Sequence, residues 1–263
     1  MPPQSDKAQH FRALHEGCFV IANAWDAGTA RILTGLGFQA LATSSGAHAG
    51  TLGRRDGQVT RDEALAHARA IVEATDLPVS ADFENCFADE PAAAAETVRL
   101  AGEIGLAGCS IEDATRDKVY DFAHAVERVA AAARKSRIVL TARAENFVRG
   151  RPDLDDAIRR LQAFEKAGAD VLMAPGLPDL AAVRKVCAAL SKPFNFMAGI
   201  KGKSFSVAEL EAAGVRRVSL ATSLWRAALS GMVEAAREVK EKGSFGYLER
   251  SLSTPELGKF MRD

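Results

Sequence analysis

The chain has 263 residues, is 48% hydrophobic and carries 34 basic and 34 acidic side chains, so its formal net charge is zero. This balance, without a long basic block, does not indicate a nucleic-acid partner or binding to an anionic membrane. No run of about 18 apolar residues is present, so the sequence predicts no membrane span. The length is sufficient for a complete hydrophobic core, and barrels of about 200–250 residues fold as single domains.

Two features of the sequence predict a cytoplasmic protein. The first seven residues are polar and lack the apolar segment of a signal peptide. The four cysteines have no CxxC pairing and are interpreted as reduced thiols rather than as a disulfide framework or a zinc site. They are Cys18, Cys86, Cys109 and Cys187.

Apolar strand-like runs alternate with helical patterns along the chain. The predicted strands are 19–24, 39–44, 79–83, 108–112, 138–143, 170–174, 193–198 and 216–221. The predicted helices are 27–36, 61–75, 91–104, 120–135, 153–167, 179–190, 206–213 and 223–242. Eight near-continuous apolar strands, each followed by a helix, predict a (β/α)8 TIM-type barrel that forms a single domain over 1–263. An open doubly wound sheet is the alternative, although no GxGxxG follows the first strand.

The segment after the second predicted strand, 44–50, is rich in Ser and Gly and is predicted to be a small, flexible loop. Its backbone N–H groups and the hydroxyls of Ser44 and Ser45 could surround an anion. His48 in the same segment is interpreted as an ordinary surface residue rather than a catalyst. Asp56 follows, either as a turn residue or as an acid that supports a site.

Carboxylates end the third and fourth predicted strands. Asp82 and Glu84 follow the third strand at i and i+2, positions that a strand would place on one face. Glu112 and Asp113 end the fourth strand. Because strand ends meet at one face of a barrel, these charges would repel one another unless a cation such as Mg²⁺ or Mn²⁺ bridged them. The alternative is that they cap helices or pair with arginines.

Two further residues are candidates for contact with a substrate. Arg143 ends the fifth predicted strand, and its planar guanidinium can hold a carboxylate through two hydrogen bonds. A salt bridge from Arg143 to Glu145 or Glu112 is the alternative, and both roles are compatible. Asn195, inside the seventh strand, either faces the barrel mouth or makes structural hydrogen bonds.

The C-terminal segment, about 244–263, contains more apolar residues than a free tail would carry. We expect it to form a helical tail that packs on a neighbouring surface or subunit. Its apolar residues are Phe245, Tyr247, Leu248, Leu252, Leu257 and Phe260.

Seven short segments together resemble the isocitrate lyase/phosphoenolpyruvate mutase superfamily, in its carboxyvinyl-carboxyphosphonate phosphorylmutase-like branch, over about residues 17–230. They are Asn23-Ala24-Trp25-Asp26-Ala27, Gly37-Phe38-Gln39-Ala40, Ser44-Ser45-Gly46, Leu52-Gly53-Arg54-Arg55-Asp56-Gly57, Ala81-Asp82-Phe83-Glu84, Ser110-Ile111-Glu112-Asp113 and Thr141-Ala142-Arg143. The resemblance implies a (β/α)8 barrel, commonly with the last helix exchanged between the subunits of a homodimer or homotetramer.

The resemblance also implies a bound Mg²⁺ (or Mn²⁺) and chemistry that passes through a metal-bound pyruvate enolate. By position, Asp82 matches the first acid of the family's metal site and Glu112 the third. Glu84 stands where many relatives have Asp, and it would reach the ion through water. Asp56 matches an acid near the metal and the substrate.

The same resemblance implies where the substrate carboxylate is held. Ser44, Ser45 and Gly46 match the loop that binds the carboxylate and carbonyl groups of the substrate, and Arg143 matches the arginine that binds its carboxylate. Arg143, Asp56 and Glu112 are therefore the candidate catalytic residues.

The segment after the fourth predicted strand departs from the pattern of the family's lyases. Members that cleave isocitrate or methylisocitrate carry Lys-Lys/Arg-Cys-Gly-His there, with the Cys as acid/base. Here residues 114–122 contain no Cys, Gly or His, so the sequence argues against those two reactions. Ala42 stands where many relatives have an aromatic residue, which predicts a different pocket.

Three functions agree with these residues. The first is a Mg²⁺-dependent lyase that cleaves a C–C bond of a small 2-oxo or 2-hydroxy carboxylic acid, by decarboxylation or retro-aldol cleavage. The second is a mutase or hydrolase that acts on the C–P bond of a phosphonate such as phosphonopyruvate. The third is a non-catalytic barrel that binds a carboxylate, which the short segment after the fourth strand would fit.

Overall fold

The computed structural model describes residues 3–261. Its central feature is a closed barrel of eight parallel strands in sequential order. The strands are β1 (Phe19–Asn23), β2 (Leu41–Ala42), β3 (Val79–Ala81), β4 (Gly108–Glu112), β5 (Val139–Arg143), β6 (Val171–Met173), β7 (Phe194–Met197) and β8 (Arg217–Ser219). Pairing of β8 with β1 closes the barrel, which confirms the (β/α)8 prediction and excludes the open sheet.

Helices surround the barrel. They are α1 (Gln4–Ala13), α2 (Ala27–Gly35), α3 (Ser45–Thr51), α4 (Arg61–Ala74), α5 (Pro91–Glu103), α6 (Phe122–Lys135), α7 (Leu154–Lys166), α8 (Leu180–Ala188), α9 (Val207–Ala212), α10 (Ser223–Lys242) and α11 (Thr254–Gly258). Short 3₁₀ segments cover Leu14–Glu16, Asn146–Arg149 and Gly246–Arg250. The eight predicted helices correspond to α2 and α4 through α10, and α11 lies within the predicted helical tail, whereas α1 and α3 were not predicted.

Helix α1 closes the N-terminal end of the barrel. Its Phe11 is fully buried and packs edge-on against Phe19 of β1, with ring centroids 6.2 Å apart. Gly108 at the start of β4 makes room for this ring, because a Cβ there would lie 2.8 Å from the Phe11 Cε1 atom. The barrel is therefore closed at the bottom, so a ligand must enter from the opposite end.

The prediction of a flexible loop over 44–50 was wrong, because most of this segment forms α3. Ser44 caps the helix by accepting a hydrogen bond from the backbone N–H of Ala47. His48 is 8% exposed and stacks on His67 of α4 with ring centroids 3.8 Å apart, so the surface interpretation of His48 was also wrong. The small residues of this helix permit the close packing: a Cβ at Gly50 would clash with the indole ring of Trp225.

The C-terminal part of the chain leaves a long apolar surface uncovered. Helix α10 has no buried residue along its 20 residues. After it, Phe260 contacts Gly35 of α2 in the same chain. Large apolar side chains remain exposed at Met232, Val233, Val239, Phe245, Leu248, Leu252, Leu257 and Met261. The ends of the predicted domain and tail, residues 1–2 and 262–263, lie outside the described residues.

Within residues 3–261, no helix combines the length and the apolar content needed to cross a membrane.

Candidate active site

A cavity of 490 Å³ opens at the carboxyl ends of the strands and extends into the barrel. Every strand contributes at least one lining residue. TIM-barrel interiors are usually filled by bulky branched side chains, but here several inward positions are small. They are Ala42, Ser80, Ser110, Thr141 and Ser219. This volume falls within the range of small-molecule sites, about 300–1,000 Å³.

Arg143 lies at the centre of a cluster of carboxylates in this cavity. Its Nη1 is 3.0 Å from Oδ1 of Asp82, and its Nη2 is 3.0 Å from Oε1 of Glu112. Its Nε donates to Oε1 of Glu145 at 2.8 Å. The side chain of Arg143 is 11% exposed, so these pairs are largely shielded from water. The predicted salt bridges to Glu112 and Glu145 therefore form, and the guanidinium also lines the cavity.

Asp82 is oriented by hydrogen bonds from three neighbouring strands or loops. Its Oδ2 accepts from the backbone N–H and the hydroxyl of Ser45, at 3.2 and 3.1 Å. Its Oδ1 accepts from the hydroxyl of Ser110 at 3.2 Å as well as from Arg143. The predicted anion-binding segment and the predicted first metal-site acid are thus in direct contact.

Glu84 does not follow the strand alternation that the sequence suggested. Strand β3 ends at Ala81, and Glu84 has a left-handed backbone with φ of 50°, so the argument that placed Asp82 and Glu84 on one strand face was wrong. Burial, together with the negative charges of Asp82 and Asp56, nevertheless raises the pKa of Glu84 to about 7. The acids predicted for this site are therefore electrostatically coupled. Left-handed backbone at non-glycine residues is costly and concentrates at functional sites.

The two acids after β4 have different environments. Glu112 faces the cavity, and burial raises its pKa well above the usual range, with Arg143 opposing the shift. Asp113 was predicted beside it but points away: its Oδ2 is 3.1 Å from Nη1 of Arg160, and its Oδ1 accepts from the backbone N–H of Glu145. Consecutive residues of a strand face opposite sides, which explains the separation.

The Ser44-Ser45-Gly46 segment lines the cavity opposite Arg143. A Cβ on Gly46 would lie 3.4 Å from the carboxylate of Asp56 and 3.2 Å from the Thr222 side chain, so glycine allows both to approach. Asp56 thus lines the cavity beside Gly46, and its role near a metal or substrate stays a prediction.

Asn195 lies deep in the barrel and is 1% exposed. Its amide nitrogen donates to Oγ of Ser219 at 3.0 Å, and its carbonyl oxygen accepts from Nε of Arg217 at 2.8 Å. Asn195 therefore makes structural hydrogen bonds and also lines the cavity, and its direct contact with a substrate stays a prediction.

The cavity also contains basic residues that the sequence analysis missed. Nη2 of Arg149 is 3.4 Å from Oε2 of Glu112, while Lys201 and Arg226 line the cavity from loops and the start of α10. Their positions carry no periodic pattern, so nothing in the sequence marks them. The sequence could have marked Arg217 as a candidate, because a charged residue inside a predicted apolar strand is unusual.

The residues predicted to bind a metal supply oxygen ligands and negative charge. Within residues 3–261, no three His, Cys, Asp or Glu side chains form a ready-made metal site. Mg²⁺, however, is usually held by one or two carboxylates, with waters and substrate completing its shell. The hard oxygen donors of Asp82, Glu84 and Glu112 fit such a cation, and so does the raised pKa of Glu84, which burial causes first and the charges of Asp82 and Asp56 increase.

Without added metal, raising the pH from about 5 to about 8 should destabilise the protein through Glu84. Between its ordinary pKa of 4.5 and its folded value of about 7, native Glu84 holds a proton that the unfolded chain has lost. The free energy of unfolding therefore falls through this window, by less than roughly 3 kcal/mol because the side chain is partly exposed. Urea unfolding in EDTA should show a flatter pH dependence for Glu84→Gln.

The control is Glu127→Gln, which changes an exposed glutamate on α6. Its unfolding free energy should change with pH in the same way as that of the unsubstituted protein. Parallel curves for Glu84→Gln as well would show that Glu84 ionises normally.

Comparisons with known proteins agree with this geometry. The family model described as phosphoenolpyruvate phosphomutase matches residues 11–240. A crystal structure from Burkholderia cenocepacia J2315, described as a lyase/mutase, is 45% identical with a TM-score of 0.94, and the match covers 98% of this chain and 96% of that chain.

Two curated relatives have names that specify a reaction. "Probable 2-methylisocitrate lyase 2" of Corynebacterium glutamicum is 31% identical over 81% of this chain and 74% of its own length. "Oxaloacetate decarboxylase 2" of Pseudomonas fluorescens is 29% identical over 91% of this chain and 84% of its own length. Both named reactions break carbon–carbon bonds of small organic acids.

Proposed function

We propose that this chain, which belongs to the phosphoenolpyruvate phosphomutase family within the isocitrate lyase superfamily, is a divalent-metal-dependent lyase. Its substrate would be a small 2-oxo or 2-hydroxy carboxylic acid in which a carbon–carbon bond is cleaved. The observation that carries the proposal is the Arg143 guanidinium among buried carboxylates in a cavity at the carboxyl ends of the strands.

Arg143 is suited to hold the carboxylate of the substrate. A guanidinium has five N–H donors; two of those on Arg143 donate to Asp82 and Glu145, and its Nη2 also forms an ion pair with Glu112. The remaining donors are available to an acid in the cavity. The carboxylates around Arg143 keep its position fixed, so the substrate is oriented without rearrangement of the site.

Asp82, Glu84 and Glu112 would hold the divalent cation. When bound, the metal would polarise the substrate carbonyl and stabilise the negative charge that develops as the bond breaks. The hydrogen bonds from Ser45 and Ser110 hold the Asp82 carboxylate in place, and Asp56 adds negative charge at the rim.

The segment after β4 supports a reaction other than isocitrate or methylisocitrate cleavage. Ala114 and Val119 form an isolated bridge, and the Thr115 hydroxyl accepts from the backbone N–H of Lys118 at 3.2 Å. The segment is thus a tight turn without a thiol. Decarboxylation or retro-aldol cleavage of a smaller acid fits it better, and the oxaloacetate decarboxylase relative supports the same substrate class.

The second candidate is chemistry at a C–P bond, which the phosphomutase name of the matching family supports. A phosphonate would present oxygen atoms to the same cation and to Arg143. The lyases within the superfamily support an enzyme over a non-catalytic barrel.

A substrate panel tests the function directly. Purified protein with Mg²⁺ or Mn²⁺ is incubated with oxaloacetate, substituted malates and phosphonopyruvate. We expect release of pyruvate or a related 2-oxo acid from a carboxylic acid, detected by a coupled dehydrogenase. Phosphorus NMR of the reaction with phosphonopyruvate distinguishes the second candidate, because it detects a change at the C–P bond. If none of these compounds gave a product, both candidate functions would be contradicted.

We also propose that the protein is a cytoplasmic homodimer or homotetramer. All four cysteines are free thiols, which suits a reducing compartment. The apolar side chains on α10 and the tail are exposed in the single chain, and exposed patches of this kind are typical of subunit contacts. Exchange of α10 between subunits would cover them.

Light scattering should give a mass of two or four times the 28.0 kDa of one chain. Charges at two exposed apolar positions of α10, in Met232→Glu with Val239→Glu, should shift the population towards monomer because an apolar contact cannot bury unpaired charge. The control Lys242→Glu changes charge at an exposed polar position of the same helix. A monomeric unsubstituted protein would contradict the proposal.

A further inference from the structure

Arg217 reaches from β8 across the interior of the barrel. Its Nη2 donates to the hydroxyl of Thr141 on β5 at 2.8 Å, and its Nε donates to Asn195 on β7 at 2.8 Å. Its Nη1 is 3.4 Å from Nε2 of His15, below the barrel. Because β5 lies three strands away from β8 around the closed eight-stranded barrel, the guanidinium must extend into the barrel interior to reach it.

This buried cation has no counter-ion among residues 3–261. The three hydrogen-bond partners are neutral: a hydroxyl, an amide and an imidazole whose pKa is lowered to about 3 by burial and by the charge of Arg217. No described carboxylate lies within ion-pair distance of Arg217, which is 4% exposed. Buried charges are otherwise paired, because their desolvation is costly.

Only the cavity side of the guanidinium can receive an anion. On the opposite side lies the aromatic ring of Phe11, with its centroid 5.7 Å from Cζ. On the cavity side, Arg217 forms part of the lining together with Ser110 and Ser219. A guanidinium has five N–H donors, so two remain after the three hydrogen bonds described.

We propose that Arg217 forms an anion subsite at the floor of the active-site cavity and binds the second carboxylate of a dicarboxylic substrate. Thr141, which contacts Arg217, precedes Arg143 by two residues on β5, a rise of about 6.6 Å. An extended diacid of four or five carbons can place one carboxylate near each guanidinium. The inference rests on the proposed function for the role of Arg143, and it narrows the substrate class to C4 and C5 diacids.

Calorimetry with succinate, glutarate, butyrate and oxalate tests the subsite without turnover. The unsubstituted protein should bind succinate and glutarate about tenfold or more tightly than butyrate, as expected for a hydrogen bond between charged groups. Arg217→Met should remove this advantage while oxalate, which is too short to reach the floor, keeps its affinity. The matched control Arg216→Met removes the neighbouring charge, which does not line the cavity. Equal affinities for succinate in folded Arg217→Met and in the unsubstituted protein would overturn the inference.

Bromide soaks of unsubstituted crystals provide a test that needs no variant. An anomalous peak within hydrogen-bond distance of the Arg217 guanidinium is expected, and bromide sites elsewhere with none at the floor would overturn the subsite. Bromide at the floor without any preference for succinate over butyrate would show an inorganic-anion site and overturn the substrate assignment. Diacid binding that depends on Arg217, without cleavage of any acid, would refute the lyase function and leave this inference standing.

Discussion

Replacement of Asp82 by Asn should abolish tight Mg²⁺ binding and lower kcat/KM by about 10³-fold or more. The substitution keeps the shape of the side chain but removes the charge that the cation would require. Asp82 is held by Ser45, Ser110 and Arg143, so its loss leaves no other carboxylate oriented in the same position. Calorimetric titration with Mg²⁺ and steady-state kinetics on the active member of the substrate panel measure the two effects.

The matched control is Asp117→Asn, which neutralises an exposed aspartate in the turn after β4. It should leave both the metal affinity and kcat/KM unchanged. Thermal unfolding of Asp82→Asn shows whether the fold is retained. Retention of Mg²⁺ affinity in a folded Asp82→Asn protein would refute the role of Asp82 as a metal ligand.

The barrel could be predicted from the sequence because each strand is a nearly continuous apolar run between turn signals. Helix α1 could not, since its buried contacts come from only a few residues, among them Phe11, on an otherwise polar segment. Helix α3 is short and rich in Gly and Ser, and its packing depends on Trp225, which lies far along the chain. Local propensity contains no information on such contacts.

The same limit applies to the site. The residue types at the strand ends were sufficient to predict that Asp82, Glu112 and Arg143 would meet, and they do. The directions of Asp113 and Glu84 were not predictable, because each depends on where its strand stops and how the backbone turns afterwards. The role of Arg217 was not predictable either, because it depends on the residues that the side chain meets across the barrel.

The contribution of the Arg143 charge to stability can be measured separately from its contribution to catalysis. Arg143→Met should destabilise the protein by about 3–5 kcal/mol, because Glu145 would remain buried without its cation and Glu112 would keep only the longer contact with Arg149. It should also lower kcat/KM by about 10³-fold or more, since the substrate carboxylate loses its partner. Arg143→Lys keeps the charge but not the planar fork, so it should recover more stability than activity.

The pH dependence of Arg143→Met distinguishes an electrostatic cause from a loss of packing. In that variant the pKa of Glu112 should rise further, because Arg143 opposes the shift caused by burial more strongly than Arg149 does. A carboxyl whose folded pKa is raised costs stability as the pH rises, so the variant should be closer to the unsubstituted protein at low pH than at neutral pH. Adding Glu112→Gln should restore stability at neutral pH without restoring activity. A defect in unfolding free energy that is independent of pH and unaffected by Glu112→Gln would instead assign the role of Arg143 to packing, and the carboxylate cluster would then not be held together by its charge.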